Sequence, residues 1–86
     1  MKELTTINQT VTITAISFDK QFETVPKRME FRGMTYNFVE SGLRCLIRQG
    51  EKMVRILTLS DGQTDFRLRS GENDTWTLLS ISPRGI

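Results

Sequence analysis

The sequence predicts an all-β fold: a small antiparallel barrel or rolled meander sheet of five or six strands, similar in size to SH3-like and OB-like domains. Apolar and polar residues alternate with a period of two in several short stretches, and glycine-containing turn signals separate these stretches. The 86 residues suffice for one hydrophobic core. We expect a single β domain at residues 10–82, preceded by a loosely ordered segment at 1–9 and followed by a tail at 83–86.

The first strand is predicted in "TVTITAISF", residues 10–18, where the apolar side chains from Val11 to Ala15 share one side. The alternation then shifts so that Ile16 and Phe18 continue the apolar side. Such a shift is typical of a β-bulge near Ala15 and Ile16. This interpretation places Phe18 in the core.

The segment "KRMEFRGMTYNFVE", residues 27–40, predicts a β-hairpin. Gly33 and Met34 fit the central positions of a type II′ turn, which requires glycine at the first of them. In that register the large apolar side chains share one face and the polar side chains occupy the other. The predicted inward pairs are Phe31 with Tyr36 and Met29 with Phe38.

The segment "SGLRCLIRQG", residues 41–50, fits two structures. As a helix it has Ser41 as N-cap, apolar side chains at helical spacing, and Gly50 just past its end. As a strand it alternates apolar and basic side chains. The capping residues favour one short helical turn at 42–49, with the strand as the alternative. In both structures Cys45 is expected to be a small buried apolar side chain.

A second hairpin is predicted in "MVRILTLSDGQTDFRLR", residues 53–69, with Asp61 and Gly62 as a type I′ turn. This register puts one side of the ladder in the core and leaves the other side basic and half apolar. The core pairs are Leu59 with Thr64, Leu57 with Phe66, and Arg55 with Leu68. The outer pairs are Thr58 with Asp65, Ile56 with Arg67, and Val54 with Arg69.

The chain's only tryptophan lies in "DFRLRSGENDTWTL", residues 65–78, and its direction depends on the loop before it. A four-residue loop turns Trp76 outward opposite Arg69, whereas a five-residue loop turns it inward opposite Leu68, because a one-residue slip exchanges the two faces. Burial of this ring stabilises a small domain by a few kcal/mol, which favours the inward register. The predicted core is Val11, Ile13, Phe18, Met29, Phe31, Tyr36, Phe38, Leu57, Leu59, Phe66, Leu68 and Trp76.

The composition restricts the possible chemistry. Histidine, the commonest general base and a usual transition-metal ligand, is absent. None of the six glycines has GxGxxG or GxxxxGK spacing, and the acidic residues of the turns lack the pattern of an EF-hand loop. The sequence therefore predicts no enzyme, no metal site and no cofactor.

Targeting signals and cysteine usage bear on the compartment. No apolar run approaches the roughly 20 residues of a membrane helix. The start of the chain, "MKE", lacks the basic and then apolar pattern of a signal peptide. One cysteine cannot form an internal disulfide, which fits a reducing compartment. We expect a cytoplasmic protein that is not associated with membranes.

The outer face of the second hairpin is the candidate binding surface. The net charge is only +2, but residues 27–69 hold nine of the basic side chains and only five acidic ones. An apolar strip rimmed by arginines is typical of a protein contact or a homodimer seam, so a protein-interaction module, self-associating or not, is favoured. The alternative is a nucleic-acid-binding barrel, whose arginines follow the backbone while an aromatic ring stacks on bases. The candidate residues are Val54, Ile56, Arg67, Arg69 and, in the outward register, Trp76.

Overall fold

A computed structural model, which describes residues 4–71 and 75–83, shows a curled antiparallel half-barrel and confirms the predicted all-β class. The described residues form seven strands, rather than five or six, and contain no helix. In chain order the strands are β1 (Thr5–Phe18), β2 (Thr24–Phe31), β3 (Met34–Asn37), β4 (Glu40–Gln49), β5 (Lys52–Ser60), β6 (Thr64–Ser70) and β7 (Trp76–Pro83).

The sheet curls because β1 belongs to two parts of it. The strand order is β3-β2-β1-β7-β6-β5-β4. The first half of β1 pairs with β7 and the second half with β2. The connection from β3 to β4 then crosses the open side: the Phe38 N–H donates to the Lys27 carbonyl at 2.9 Å, and the Val39 N–H donates to the Ser60 carbonyl at 2.8 Å. These two bonds link β2 to β5 and bring the two ends of the sheet together.

The amino end of β1 differs from its prediction. Residues 5–9 lie in β1 and pair with β7, although the sequence suggests a loosely ordered segment there. The pairing supplies backbone hydrogen bonds that the polar side chains of this segment do not reveal. The sequence predicts a tail at 83–86, but β7 includes Pro83. The rest of the predicted tail, residues 84–86, lies outside the described residues.

The helical turn predicted at 42–49 is wrong, because this segment is the edge strand β4. Gln49 pairs with Lys52, so Gly50 and the residue after it form a two-residue turn. The φ of Gly50 is 63°, which suits the first central position of a type II′ turn. Gly50, which resembles a helix cap in the sequence, is therefore part of the turn of a β4–β5 hairpin. Backbone pairing with β5 stabilises the strand more than the capping residues stabilise a helix. Cys45 is exposed, contrary to its prediction, because none of the described residues covers its side of β4.

The predicted bulge in β1 is confirmed, but its effect on Phe18 is not. The pairing with β2 is irregular between Ile13 and Ala15 and again between Ala15 and Ile16. The two irregularities offset each other, so the odd-numbered residues continue to face inward. Ile16 is exposed and Phe18 is 63% exposed, which removes Phe18 from the predicted core.

The two predicted hairpins form with the expected faces and shifted registers. Phe31 pairs with Met34, and the turn consists of Arg32 and Gly33, whose φ values of 51° and 76° are typical of a type I′ turn. The predicted pairs Phe31–Tyr36 and Met29–Phe38 are therefore wrong by two residues. A shift of two keeps every side chain on its face, so Met29, Phe31 and Phe38 are buried as expected.

The second hairpin is likewise shifted by two residues, because its loop is longer than predicted. Ser60 pairs with Asp65 instead of with the residue two positions earlier. The Asp61 carboxylate accepts the N–H groups of Gln63 at 2.9 Å and Thr64 at 2.8 Å, which stabilises the wider turn. The observed pairs are Leu59 with Phe66, Leu57 with Leu68, Thr58 with Arg67, and Ile56 with Arg69.

Trp76 lies in the core, as the inward register predicts, and only 3% of its surface is exposed. Its partner on β6 is Ser70, two positions from the expected Leu68, so the face is again preserved. Elsewhere in the core, the Phe66 ring contacts Tyr36 and Phe38 at centroid distances of 5.0 and 5.4 Å. The buried apolar side chains are Val11, Met29, Phe31, Phe38, Leu57, Leu59, Phe66, Leu68, Trp76 and Leu78.

Candidate functional site

The structure brings four of the five candidate residues together on the outer face of β5 and β6. Ile56 lies directly opposite Arg69, with Arg67 one outer pair further along β6. Val54 is the next outer residue of β5. Val54, Ile56 and Arg69 are half-buried, and Arg67 is exposed.

Trp76, the fifth candidate, points to the opposite side of the sheet. It pairs with Ser70 on the inner face, so it cannot contact a partner that binds beside Arg67 and Arg69. The outer faces of β5, β6 and β7 carry no aromatic side chain, and all seven aromatic residues of the chain lie within the described ranges. A base-stacking platform is therefore missing from this face.

Strand β4 extends the apolar part of the outer face. Cys45 lies opposite Ile56, and Ile47 lies opposite Val54. We call these four side chains the apolar strip. Sequence reasoning missed the β4 half because it favoured a helical turn at 42–49. The alternation of apolar and basic residues in β4 is the signal that identifies it.

Beyond the end of β6, the β4–β5 hairpin continues as an arm, defined here as residues 46–55. The Ser70 hydroxyl accepts the Arg55 N–H at 3.1 Å and donates to the Arg55 carbonyl at 3.4 Å, at the point where the β5–β6 ladder stops. Past this point, β4 is the only strand in the described ranges that pairs with β5. The arm exposes large apolar side chains on both faces: Leu46 (54%) and Met53 (57%) on one, and Ile47 (39%) on the other.

The outer edge of β4 has no neighbouring strand in the described part of the chain. In a two-residue hairpin, the two residues that flank the turn form two backbone hydrogen bonds with each other, and here these residues are Gln49 and Lys52. Along the two strands, pairs with mutual hydrogen bonds then alternate with pairs without them. Ile47 and Cys45 therefore bond to β5. The backbone groups of Leu46 and Arg48 point to the open edge, which makes this edge a template for a further strand.

Arg55 anchors the base of the arm to the barrel. Its guanidinium lies 5.4 Å from the centre of the Trp76 ring and 3.2 Å from the Glu23 carboxylate. It also donates to the Thr24 carbonyl at 2.8 Å. One side chain thus joins the core, the β1–β2 turn and the arm.

Arg44 makes a second link between β4 and the β1–β2 turn. Its guanidinium lies 2.6 Å from the Asp19 carboxylate and 3.3 Å from the Glu23 carboxylate. Because Glu23 also contacts Arg55, four charged side chains form one network: Asp19, Arg44, Glu23 and Arg55. The network fixes the turn against the start of the arm.

Asp19 is the acceptor on which the β1–β2 turn is built. The N–H of Glu23 donates to its carboxylate at 3.0 Å and the N–H of Gln21 at 2.9 Å. The pKa of Asp19 is lowered from 3.8, chiefly by the hydrogen bond from the Glu23 N–H. Burial is the second-largest influence and opposes this shift, while the Gln21 N–H and the charges of Arg44 and Arg55 add smaller lowering effects. Structural contacts account for the shift.

Two small clefts adjoin this turn, with volumes of about 210 and 240 Å³. The exposed side chains of Phe18 and Val39 line the first, and Arg44 and Leu57 line the second. Histidine lines neither cleft, because the chain has none, and the polar side chains of the first cleft include Asp19 and Glu40. In the described residues no group of three metal-binding side chains occurs.

No protein-family model, no curated protein and no solved structure matches this chain. In the part of the chain that the structure describes, no helix has the length and apolar character needed to cross a bilayer. The function is therefore inferred from the arm, the apolar strip and the open edge of β4.

Proposed function

We propose that the protein is a non-catalytic protein-interaction module, which associates with itself or with another protein through the arm and the apolar strip. The main observation in support is that Leu46, Ile47 and Met53 are exposed on the two faces of a hairpin whose outer edge has no strand partner in the described residues. Apolar surface of this kind is stabilised by contact with another protein. Unpaired backbone groups beside it add directional hydrogen bonds to that contact.

A cytoplasmic, non-enzymatic role belongs to the same proposal. The chain has no histidine to act as a general base, and the lowered pKa of Asp19 is explained by the turn that it stabilises. Cys45 is an exposed thiol. A reducing compartment keeps such a thiol from forming unwanted disulfides.

Nucleic-acid binding is the second candidate, supported by Arg67 and Arg69 on one outer face. The burial of Trp76 weakens it, because arginines alone supply backbone attraction without stacking. The salt dependence of the binding affinity distinguishes the two functions. Affinity for an oligonucleotide falls steeply between 50 and 200 mM salt, by roughly 10³-fold for a protein with about six phosphate contacts, whereas an apolar protein contact changes little.

Site-specific photo-crosslinking tests the proposed function. Benzoylphenylalanine is placed at position 47, on the arm, and in a matched control at position 30, an exposed residue of β2. In cells that produce the protein, we expect protein adducts from position 47 at a clearly higher yield than from position 30. Equal yields from the two positions would contradict the proposal, and adducts to nucleic acid alone would favour the second candidate.

A further inference from the structure

We infer that the occupant of the open β4 edge is β4 of a second copy, paired antiparallel across a two-fold axis that passes beside Ile47. This inference rests on the proposed function and names its partner. It also states a register, which makes it testable independently of the size of the complex.

The chemistry of β4 favours a copy of itself. A partner strand must cover Ile47 on one face of the sheet and Leu46 on the other, because both are exposed. Between Arg44 and Gln49, β4 has apolar side chains on both faces and no proline or acidic residue. A second β4 therefore supplies apolar contacts to both faces at once.

Two-fold symmetry restricts the register to a few choices. When the axis is perpendicular to the sheet, it passes beside one residue, and paired residues share a face. An axis beside Leu46 sets Arg44 opposite Arg48 of the partner, and an axis beside Arg44 or Arg48 sets that arginine opposite its own copy. Like charges directly opposite each other are destabilising, so these three registers are disfavoured.

The remaining choice is between axes beside Cys45 and Ile47. Pairing of β4 with β5 is irregular between Ser41 and Arg44, which is a bulge that bends the edge. An axis beside Cys45 requires the partner strand to pair through that bulge. An axis beside Ile47 uses only residues 45–49, where the pairing with β5 is regular.

In the inferred register the backbone and side chains are both satisfied. The outward N–H and C=O groups of Leu46 bond to those of Arg48 in the partner, and the reverse pair forms by symmetry. Leu46 lies against the aliphatic stem of the partner's arginine. Ile47 faces its own copy on the outer side, which extends the apolar strip across both molecules.

A single proline tests the edge. The Leu46 N–H points outward, so Leu46→Pro removes a bond to the partner and leaves the β4–β5 ladder intact. The control Leu46→Ala shortens the side chain and keeps the N–H. By sedimentation equilibrium of the full chain we expect Leu46→Pro to weaken dimerisation at least about tenfold, because two symmetry-related bonds are lost, and Leu46→Ala to weaken it less.

Disulfide trapping tests the register. In the inferred dimer, Ile47 lies opposite its copy in a pair without mutual backbone bonds, where side chains are closest, whereas the two Cys45 residues are four positions out of register. The double variant Cys45→Ser/Ile47→Cys should therefore form a covalent dimer with oxidised glutathione, and the natural chain should not. The two thiols introduced at position 47 lose two protons and two electrons and form a disulfide bond, while oxidised glutathione takes up both and is reduced to two glutathione thiols.

The outcomes separate this inference from the proposed function. A chain that is monomeric at all concentrations, yet gives protein adducts from position 47, overturns the second copy and supports a different partner. A dimer that is trapped through natural Cys45, or that is unaffected by Leu46→Pro, overturns the inferred pairing. Trp76 fluorescence shows whether Leu46→Pro folds. If it does not fold, hydrogen exchange of the natural chain is measured instead, and the N–H groups of Leu46 and Arg48 should exchange more slowly as the protein concentration rises. Exchange rates that do not depend on concentration overturn the inference.

Discussion

The guanidinium of Arg55 lies 5.4 Å from the centre of the Trp76 ring, which places a charged side chain of the arm against the largest ring of the core. The same guanidinium contacts the Glu23 carboxylate and donates to the Thr24 carbonyl. Cation–π attraction and charge-assisted hydrogen bonds therefore act on one half-buried group. This contact makes the orientation of the arm dependent on the packing of the core.

Replacement of Arg55 should destabilise the fold. Arg55→Met retains an apolar stem but loses the ring contact and the bonds to Glu23 and Thr24. We expect the free energy of unfolding to fall by about 1–2 kcal/mol, because a cation–π pair and bonds to a charged group are both lost. Urea unfolding measures the change. The matched control Arg67→Met, on the exposed outer face, should alter stability by less than about 0.5 kcal/mol, and equal effects of the two substitutions would contradict the role given to Arg55.

The fluorescence of Trp76 should report a buried indole. Since only 3% of the residue is exposed, we expect a blue-shifted emission maximum and weak quenching by acrylamide in the native protein. Because Trp76 is the only tryptophan, the signal belongs to one position. The urea-unfolded chain is the internal control and should show red-shifted, readily quenched emission. A native signal that is already red-shifted would place Trp76 on the surface and restore the stacking interpretation of the outer face.

Much of the fold follows from the sequence because a register error of two residues preserves the faces of a strand. Both predicted hairpins are shifted in this way, and their apolar side chains still reach the core. Trp76 is a third case, since its partner differs by two positions and its direction is as predicted. Alternation and glycine turns thus determine the burial of a side chain more firmly than its cross-strand partner.

The candidate site was only partly predictable, for a physical reason that concerns β4. Ser41 and Gly50 are good helix caps, and nothing local shows that β5 will pair with this segment. Phe18 illustrates a similar limit, because two successive irregularities in β1 offset each other and leave the ring exposed. Both errors concern residues whose environment is set by another strand, so the exposed edge and the β4 half of the apolar strip emerge only from the fold.

The charge of Asp19 should make stability depend on pH. Its pKa is lowered in the folded protein, so its contribution is present above its ordinary value of 3.8 and is lost as the pH falls through the lower, folded-state pKa. Asp19→Asn keeps an oxygen acceptor for the turn but removes the charge. We expect the variant to be less stable than the natural chain near pH 7 and the difference to shrink below pH 3.8. In an Arg44→Met background the same substitution should have a smaller effect, and an equal effect in both backgrounds would show that the ion pair contributes nothing.

Phe22 should be a position where a smaller residue stabilises the chain. It is exposed in the β1–β2 turn with a φ of 62°, and its N–H donates to the Asp19 carbonyl at 3.0 Å. A side chain in this left-handed conformation costs roughly 1–2 kcal/mol, whereas glycine adopts it freely but loses more backbone entropy on folding. We therefore expect Phe22→Gly to raise the free energy of unfolding by about 0.5–1 kcal/mol.

The converse substitution serves as the control for Phe22. Gly33→Ala, at a φ of 76° with open space around the added Cβ, should lower stability by about 1 kcal/mol, because only the backbone conformation opposes it. Chemical unfolding of both variants measures the two effects. A loss of stability in Phe22→Gly would show that the Phe22 ring makes contacts worth more than the strain of its backbone, and the exposed β1–β2 turn would then contribute to the packing of the barrel end.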